Sequence, residues 1–186
     1  MNIIERPFPG AALIALDRAQ DERGSFTRLF DQSFFRSEGI DAAIDHSAES
    51  INPHRHTLRG LHYQKPPHDE QKLIRCSKGS IYDVAVDIRR GSPTEGRSYT
   101  ITLTEQDAIA LLLPKGVAHG FLTLEEDCRV LYHLFQPYHA ASASGLRFDD
   151  PDLSIPWPAK PRVINERDQN FPYLRDIQKS ERAVFE

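Results

Sequence analysis

Residues 81–89, IYDVAVDIR, alternate without a break: Tyr82, Val84, Val86 and Ile88 fall on one face, and Asp83, Ala85 and Asp87 on the other. Period-two alternation marks a β-strand whose two faces meet different surroundings. The same reading predicts strands over residues 58–64, 70–76, 99–104, 110–113, 117–124 and 128–135. Earlier strands are expected over 13–16, 26–30 and near 44–52. Short polar or Gly/Pro segments join them, among them the tight turn Ser77-Lys78-Gly79-Ser80. Strands this short and this regular predict an all-β antiparallel sandwich or barrel of the jelly-roll type. Helical signal is weak and confined to residues 33–38 and 177–185. Residues 150–172, rich in proline, are expected to wrap the barrel as irregular chain. No tandem repeat, low-complexity tract or linker breaks the pattern, so residues 1–186 are expected to form one domain.

Composition narrows the function classes. Charged residues make up 27% and hydrophobic ones 39% of the 186, the balance of an ordinary globular protein. A formal net charge of −4 argues against general nucleic-acid binding, which needs a basic surface. No apolar run approaches the length of a membrane span. The first residues, Met1-Asn2-Ile3-Ile4-Glu5-Arg6, lack the features of a signal peptide. Cys76 and Cys128 sit in apolar runs without zinc-site spacing, which fits two buried thiols in a reducing cytoplasm, although a disulfide stays open.

The chemistry-bearing residues gather in two stretches. In the first, Arg59-Gly60-Leu61-His62-Tyr63-Gln64 is followed, after the turn Lys65-Pro66-Pro67-His68-Asp69, by Lys72. If the flanking strands pair symmetrically about Pro67, His62 lies opposite Lys72, and cross-strand partners share a face. An imidazole beside an ammonium suits removal of a proton next to a carbonyl: one takes the proton, the other steadies the enolate oxygen. Taken alone, a half-exposed His and a surface Lys are also what an arbitrary hairpin carries. In the second stretch, the turn Pro114-Lys115-Gly116 leads into a strand carrying His119 and Phe121. With Glu126-Asp127 as a two-residue hairpin loop, Phe121 lies opposite Tyr132, whose phenol can act as an acid or be a plain core aromatic. Arg23 at an early turn and Arg59 suggest a bound diphosphate or carboxylate, or surface ion pairs. His54-Arg55-His56 has metal-ligand spacing but no matching acid, so no metal site is predicted.

Together these stretches resemble the dTDP-4-dehydrorhamnose 3,5-epimerase family, cupin-fold enzymes that act on nucleotide-linked deoxysugars. The likeness rests on Asp21-Glu22-Arg23-Gly24, on 58–64, on Lys72-Leu73-Ile74-Arg75-Cys76 and on 83–89. Further matches are Ser92-Pro93-Thr94, 114–121, Val130-Leu131-Tyr132, 147–151, 155–158 and Asn165-Glu166-Arg167-Asp168, in order over nearly the whole chain. The resemblance implies a cupin-type double-stranded β-helix with His62 as base, Asp168 polarising it, Lys72 steadying the enolate and Tyr132 as acid on the opposite face. It implies that Arg23, Arg59 and Arg167 hold the diphosphate or sugar, that His119 contacts substrate, and that Tyr138 stacks near the nucleobase. It implies no cofactor and no metal, since a 4-keto group itself acidifies C3–H and C5–H. It also implies a homodimer, in which Arg23 enters the partner's pocket. Three positions depart from the family: Arg28 stands where Glu is common, Ser47-Ala48-Glu49-Ser50 replaces Gln-x-Asn-His, and Ser144 replaces an acid. These departures leave the nucleotide open among dTDP, GDP and CDP. Inversion at C3 alone, a 3,4-ketoisomerase, a non-catalytic sugar-binding cupin and a metal-dependent cupin dioxygenase are the alternatives.

Overall fold

The computed structural model describes residues 1–185. Its strands are β1 (Asn2–Glu5), β2 (Ala12–Ala15), β3 (Arg18–Asp21), β4 (Gly24–Thr27), β5 (His46–Asn52), β6 (Leu58–Gln64) and β7 (Lys72–Lys78). They continue with β8 (Ser80–Asp87), β9 (Ser98–Thr104), β10 (Ile109–Leu113), β11 (Val117–Thr123), β12 (Cys128–Leu134) and β13 (Ala143–Gly145). Two short helices accompany them, α1 (Gln32–Ser37) and α2 (Glu166–Gln169). The strands form a six-stranded sheet in the order β1-β2-β10-β7-β12-β5 and a five-stranded sheet in the order β13-β6-β11-β8-β9, with β3 and β4 as a separate hairpin. All pairings between these strands are antiparallel. This is the all-β jelly roll that the alternation predicts.

The path between strands differs from the expected hairpins. From β5 to β8 each successive strand enters the other sheet. β6 therefore pairs with β11 and β13, and β7 with β10 and β12, so residues 65–71 cross between sheets rather than closing a hairpin. His62 is not the strand partner of Lys72; its Cα partner on β11 is His119. Likewise β11 and β12 do not pair, and Tyr132 lies beside Ala48 and Ile74 instead of Phe121. Gly79 makes the switch from β7 to β8 at φ +75°, and a Cβ there would meet Cys128 Sγ at 2.8 Å.

Apolar side chains fill three layers. Between the sheets lie Ile74, Cys76, Leu111 and Val130 from one sheet and Ile81, Ala85, Val117 and Phe121 from the other. Outside the six-stranded sheet, Ile14, Leu73 and Leu112 pack on Phe35 of α1, whose start is capped by the Asp31 carboxylate accepting from Ser33 N and Phe34 N. Outside the five-stranded sheet, Val84, Val86 and Ile88 of the alternating segment pack with Leu61, Leu146, Leu153 and Ile177. The apolar face of β8 thus points away from the barrel interior, into the C-terminal tail. Its polar face turns inward, with Asp83 fully buried between Ile81 and Ala85.

The tail follows the irregular path expected except at Glu166–Gln169, where the Asn165 cap starts the short helix α2. It is tied down by Trp157 Nε1 donating to Phe148 O at 2.8 Å, by Leu174 N donating to Asp150 Oδ2 at 2.7 Å and by a bridge between Thr57 and Val163. No helix spans 177–185. Lys179–Glu181 forms a single 3₁₀ turn, and the chain then runs beside Arg90, with Arg90 N donating to Ala183 O and Phe185 N to Arg90 O. Those backbone bonds outcompete an isolated helix too short to be stable in water.

β6 is squeezed between its neighbours at two glycines. A Cβ on Gly120 would lie 2.6 Å from Arg59 O, and one on Gly145 would lie 2.5 Å from Leu61 O. Both obstacles are backbone and cannot rotate away. Gly120→Ala is expected to destabilise the fold by ~1–3 kcal/mol, the usual cost of overpacking; a urea midpoint equal to wild type would refute this.

Candidate active site

A cavity of about 290 Å³ opens between the sheets, lined by Arg59 and His62 of β6, Lys72 of β7, His119 of β11 and Tyr132 of β12. Ala48 and Ser50 of β5, Ala143 and Ser144 of β13, and Glu70, Tyr138 and Arg167 also line it. A larger concavity of about 610 Å³ lies against Lys115 and 183–185. Its one buried cation, Arg89, is held by both oxygens of Asp87 at 2.9 and 2.7 Å, so that space offers no acid facing a base.

His62 is the most elaborately held side chain in the smaller cavity. Its Nε2 lies 2.8 Å from Asp168 Oδ1, and Asp168 Oδ2 accepts from Gly60 N at 2.8 Å. Asp168 comes from α2, whose cap Asn165 accepts from Asp168 N at 2.7 Å. The Asp168 side chain is 1% exposed and that of His62 is 42% exposed. Burial raises the Asp168 pKa, but the hydrogen bond and charge of His62 and the Gly60 N–H outweigh it, leaving the carboxyl below the ordinary range. An ionised Asp168 accepts the Nε2–H of His62 and leaves the lone pair on Nδ1, which suits a proton acceptor. Phe171 packs edge-on to the imidazole at 5.8 Å, with the Arg167 guanidinium 5.3 Å above the Phe171 ring.

On the opposite sheet, Tyr132 faces the same space, and its hydroxyl makes no hydrogen bond among the described residues. Burial, then the negative charge of Asp83, raises its pKa well above the ordinary value, against a smaller opposing effect of Arg59. The phenol therefore stays protonated throughout the neutral range, as a proton donor must. The His119 ring stands edge-on to it at 5.9 Å and is held by Asp83 Oδ2, 2.8 Å from His119 Nε2.

Lys72 is buried, and its Nζ lies 3.0 Å from Glu70 Oε1. Glu70 Oε2 accepts from Gln64 Nε2 at 3.0 Å, and Gln64 Oε1 accepts from His139 N at 2.7 Å. One chain of polar contacts thus runs from Lys72 to the segment bearing Tyr138, which stands exposed at the cavity mouth. Arg59 donates to Asn52 Oδ1 at 2.7 Å. Neither Arg59 nor Arg167 has a carboxylate partner among the described residues, so both charges are free for an anion.

His62, Lys72, Arg59, His119, Tyr132, Tyr138 and Arg167 thus share one cavity, and Asp168 reaches it through His62. Arg23 does not: it sits at the tip of the β3–β4 hairpin, 84% exposed and paired with Asp21. Sequence reasoning missed Glu70 and Asp83. For Asp83 the signal was present, a carboxylate on the β8 face that also carries Ala85, two residues away. Glu70 carries no such signal, because it precedes its strand.

A family model described as dTDP-4-dehydrorhamnose 3,5-epimerase matches residues 5–176. The chain is 39% identical over 158 residues to the dTDP-4-dehydrorhamnose 3,5-epimerase of Sinorhizobium fredii, covering 84% of this chain and 81% of that protein. Among solved structures, a dTDP-6-deoxy-D-glucose-3,5-epimerase of Legionella pneumophila Philadelphia 1, in complex with dTDP-4-keto-L-rhamnose, superposes with a TM-score of 0.94 at 31% identity, over 100% of this chain and 98% of that one. A 3'-monoepimerase of Streptomyces bikiniensis, in complex with dTDP-quinovose, superposes with a TM-score of 0.85 at 31% identity, over 91% and 86%. With a match along nearly its whole length, and with an acid and a base facing one cavity from opposite sheets, the chain belongs to the dTDP-4-dehydrorhamnose 3,5-epimerase family.

Proposed function

We propose that this protein is an isomerase that inverts the carbons flanking the keto group of a dTDP-linked 4-keto-6-deoxyhexose. The observation that carries this reading is the placement of the Asp168-oriented His62 and the protonated Tyr132 on opposite walls of one cavity. Inversion needs a base on one face of a carbon and an acid on the other. The 4-keto group acidifies C3–H and C5–H, so the protein has to supply only the base, a cation for the enolate and the acid. His62 takes the proton, its electron pair moves toward the keto oxygen, Lys72 holds that oxygen, and Tyr132 returns a proton from the far side. Arg59 and Arg167 are the free cations for the diphosphate, His119 borders the sugar, and Tyr138 at the mouth offers a ring to the nucleobase.

Glu70 explains how a buried lysine stays in place for this work. A buried ammonium without a partner is costly, and the carboxylate 3.0 Å away compensates it. Glu70→Ala strands that charge and is expected to cost about 3 kcal/mol or more in a denaturant titration. Unchanged stability would mean that water compensates Lys72 instead.

The chemistry is tested by solvent exchange. In deuterium oxide the wild type is expected to label C3 and C5 of the dTDP-4-keto-6-deoxy sugar. His62→Asn removes the base and is expected to lower exchange by ~10²-fold or more. Tyr132→Phe keeps washing in label on the original face but loses net inversion. Inversion by Tyr132→Phe at the wild-type rate would make Tyr132 a packing residue and end the two-face mechanism. Label at C3 alone would make the protein a single-centre epimerase like its Streptomyces relative.

The site is completed in a homodimer, on our reading. Arg23 does not reach the cavity of its own chain, and the hairpin that carries it belongs to neither main sheet. Phe26 on that hairpin and Ile51 on edge strand β5, which borders the cavity through Ala48 and Ser50, are both exposed. A two-fold axis that lays the hairpin across the partner's β5 covers both side chains and brings Arg23 to the partner's substrate. Two buried free thiols fit residence in the reducing cytoplasm. A dimer mass is expected from light scattering at micromolar concentration; a monomer mass would refute the shared site.

A further inference from the structure

Asp83 is a buried carboxylate beside the cavity that the mechanism above leaves unused. It lies fully buried on the inward face of β8, flanked by Ile81 and Ala85 of the apolar core. Its Oδ2 meets His119 Nε2 at 2.8 Å, while its Oδ1 has no hydrogen-bond partner among the described residues. A bare carboxylate oxygen in an apolar interior is expensive, by ~1–3 kcal/mol or more. The expense falls when the His–Asp pair carries an extra proton, because the pair then holds an imidazolium beside a carboxylate. The geometry is that of an imidazole held against a buried carboxylate, one of whose oxygens has no donor among the described residues.

The reaction has a use for it. Each inversion leaves His62 as imidazolium and Tyr132 as phenolate, and neither state can begin the next inversion. His62 is 42% exposed and can return its proton to water. Tyr132 is walled by substrate on one side and by the barrel on the other. Among the described residues, the titratable ring packed against it is that of His119, edge-on at 5.9 Å. His119 Nδ1 has no protein partner among the described residues, and the ring lines the cavity.

We infer that the His119–Asp83 pair reprotonates Tyr132 between inversions. The proton on His119 passes to the Tyr132 phenolate, leaving neutral imidazole and phenol. The proton that His62 gave to solvent then balances the one that His119 takes back. Asp83 touches no substrate; it is a positioning residue that keeps His119 able to hold the proton. This inference rests on the acid role proposed for Tyr132.

The test is a rapid-quench experiment in deuterium oxide with the dTDP-linked 4-keto-6-deoxy sugar, counting inverted centres per active site. Asp83→Asn preserves shape and a hydrogen-bonding oxygen but removes the charge. It is expected to invert about one centre per site at a rate near wild type, then to continue at least ~10-fold more slowly, as loss of a general acid does. In His119→Ala, whatever the rate of its first phase, the slow phase should recover on addition of free imidazole. Asp83→Asn without a burst, whether both phases fall together or neither changes, would overturn the inference. So would a His119→Ala defect that imidazole does not relieve. Exchange that fails in the wild type itself would overturn the epimerase reading and this inference with it, whereas a burstless Asp83→Asn with His62-dependent exchange intact overturns this inference alone.

Discussion

One buried carboxylate joins the two parts of the molecule that must meet for chemistry. Asp168 accepts from Gly60 N on β6 and from His62 on the same strand, while its own backbone is fixed by the Asn165 cap of α2. The proline-rich tail needs no regular structure because this anchor, together with the Trp157, Asp150 and Val163 contacts, holds it on the outer face of the five-stranded sheet. The tail in turn covers Val84, Val86 and Ile88. The interaction that orients the base therefore also closes the third apolar layer. Loss of the carboxylate would be felt in packing as well as in proton transfer, because Gly60 N–H and the imidazole would both lose their acceptor.

Strand positions were legible in the sequence because burial on either face of a sheet imposes period two. Partners were not, because a seven-residue connection such as 65–71 can close a hairpin or cross a sandwich. The crossing is favoured here by β7, whose Leu73 faces one apolar layer and whose Ile74 and Cys76 face another. His62 and Lys72 were expected to share a space as strand neighbours. They share it instead across the barrel, since both side chains point inward from opposite sheets. Parity along each strand survives an error in pairing, and inward parity was the part of the argument that the cavity depends on. The helix expected over 177–185 failed for a different reason: the open backbone at Arg90 offered those residues sheet-like bonds that a local pattern cannot reveal. Candidate roles for His62, Lys72 and Tyr132 were legible from residue chemistry, whereas those of Asp168, Arg167 and Tyr138 came through the family's motifs, and nothing in one chain brings Arg23 to the cavity.

Charge is divided within the cavity. Lys72 is matched by Glu70 and lies deep, whereas Arg59 and Arg167 keep unmatched charge. A matched, rigidly held ammonium suits the developing enolate of the proposed reaction, since preorganised charge of this kind costs no rearrangement at the moment of reaction. Unmatched guanidinium groups suit an anion that is already fully charged, and their planar donors fit diphosphate oxygens. Gln64 couples the two regions, bonding Glu70 at one end and the backbone beside Tyr138 at the other.

The two His–Asp pairs share a sheet and a register, His62 opposite His119, yet differ in depth. At the outer pair the histidine is open to solvent, the carboxylate is saturated by two donors, and one nitrogen is left bare. Such a pair suits the role proposed for it, taking a proton from substrate and losing it to water. At the inner pair both groups are buried and one carboxylate oxygen has no donor. The apolar core encloses the carboxylate, and the imidazole beside it meets the cavity. Environment, not residue type, separates the two roles. Tyr132 lies across the cavity from the first pair and against the second, the placement that the proposed acid and its proposed reprotonation both require.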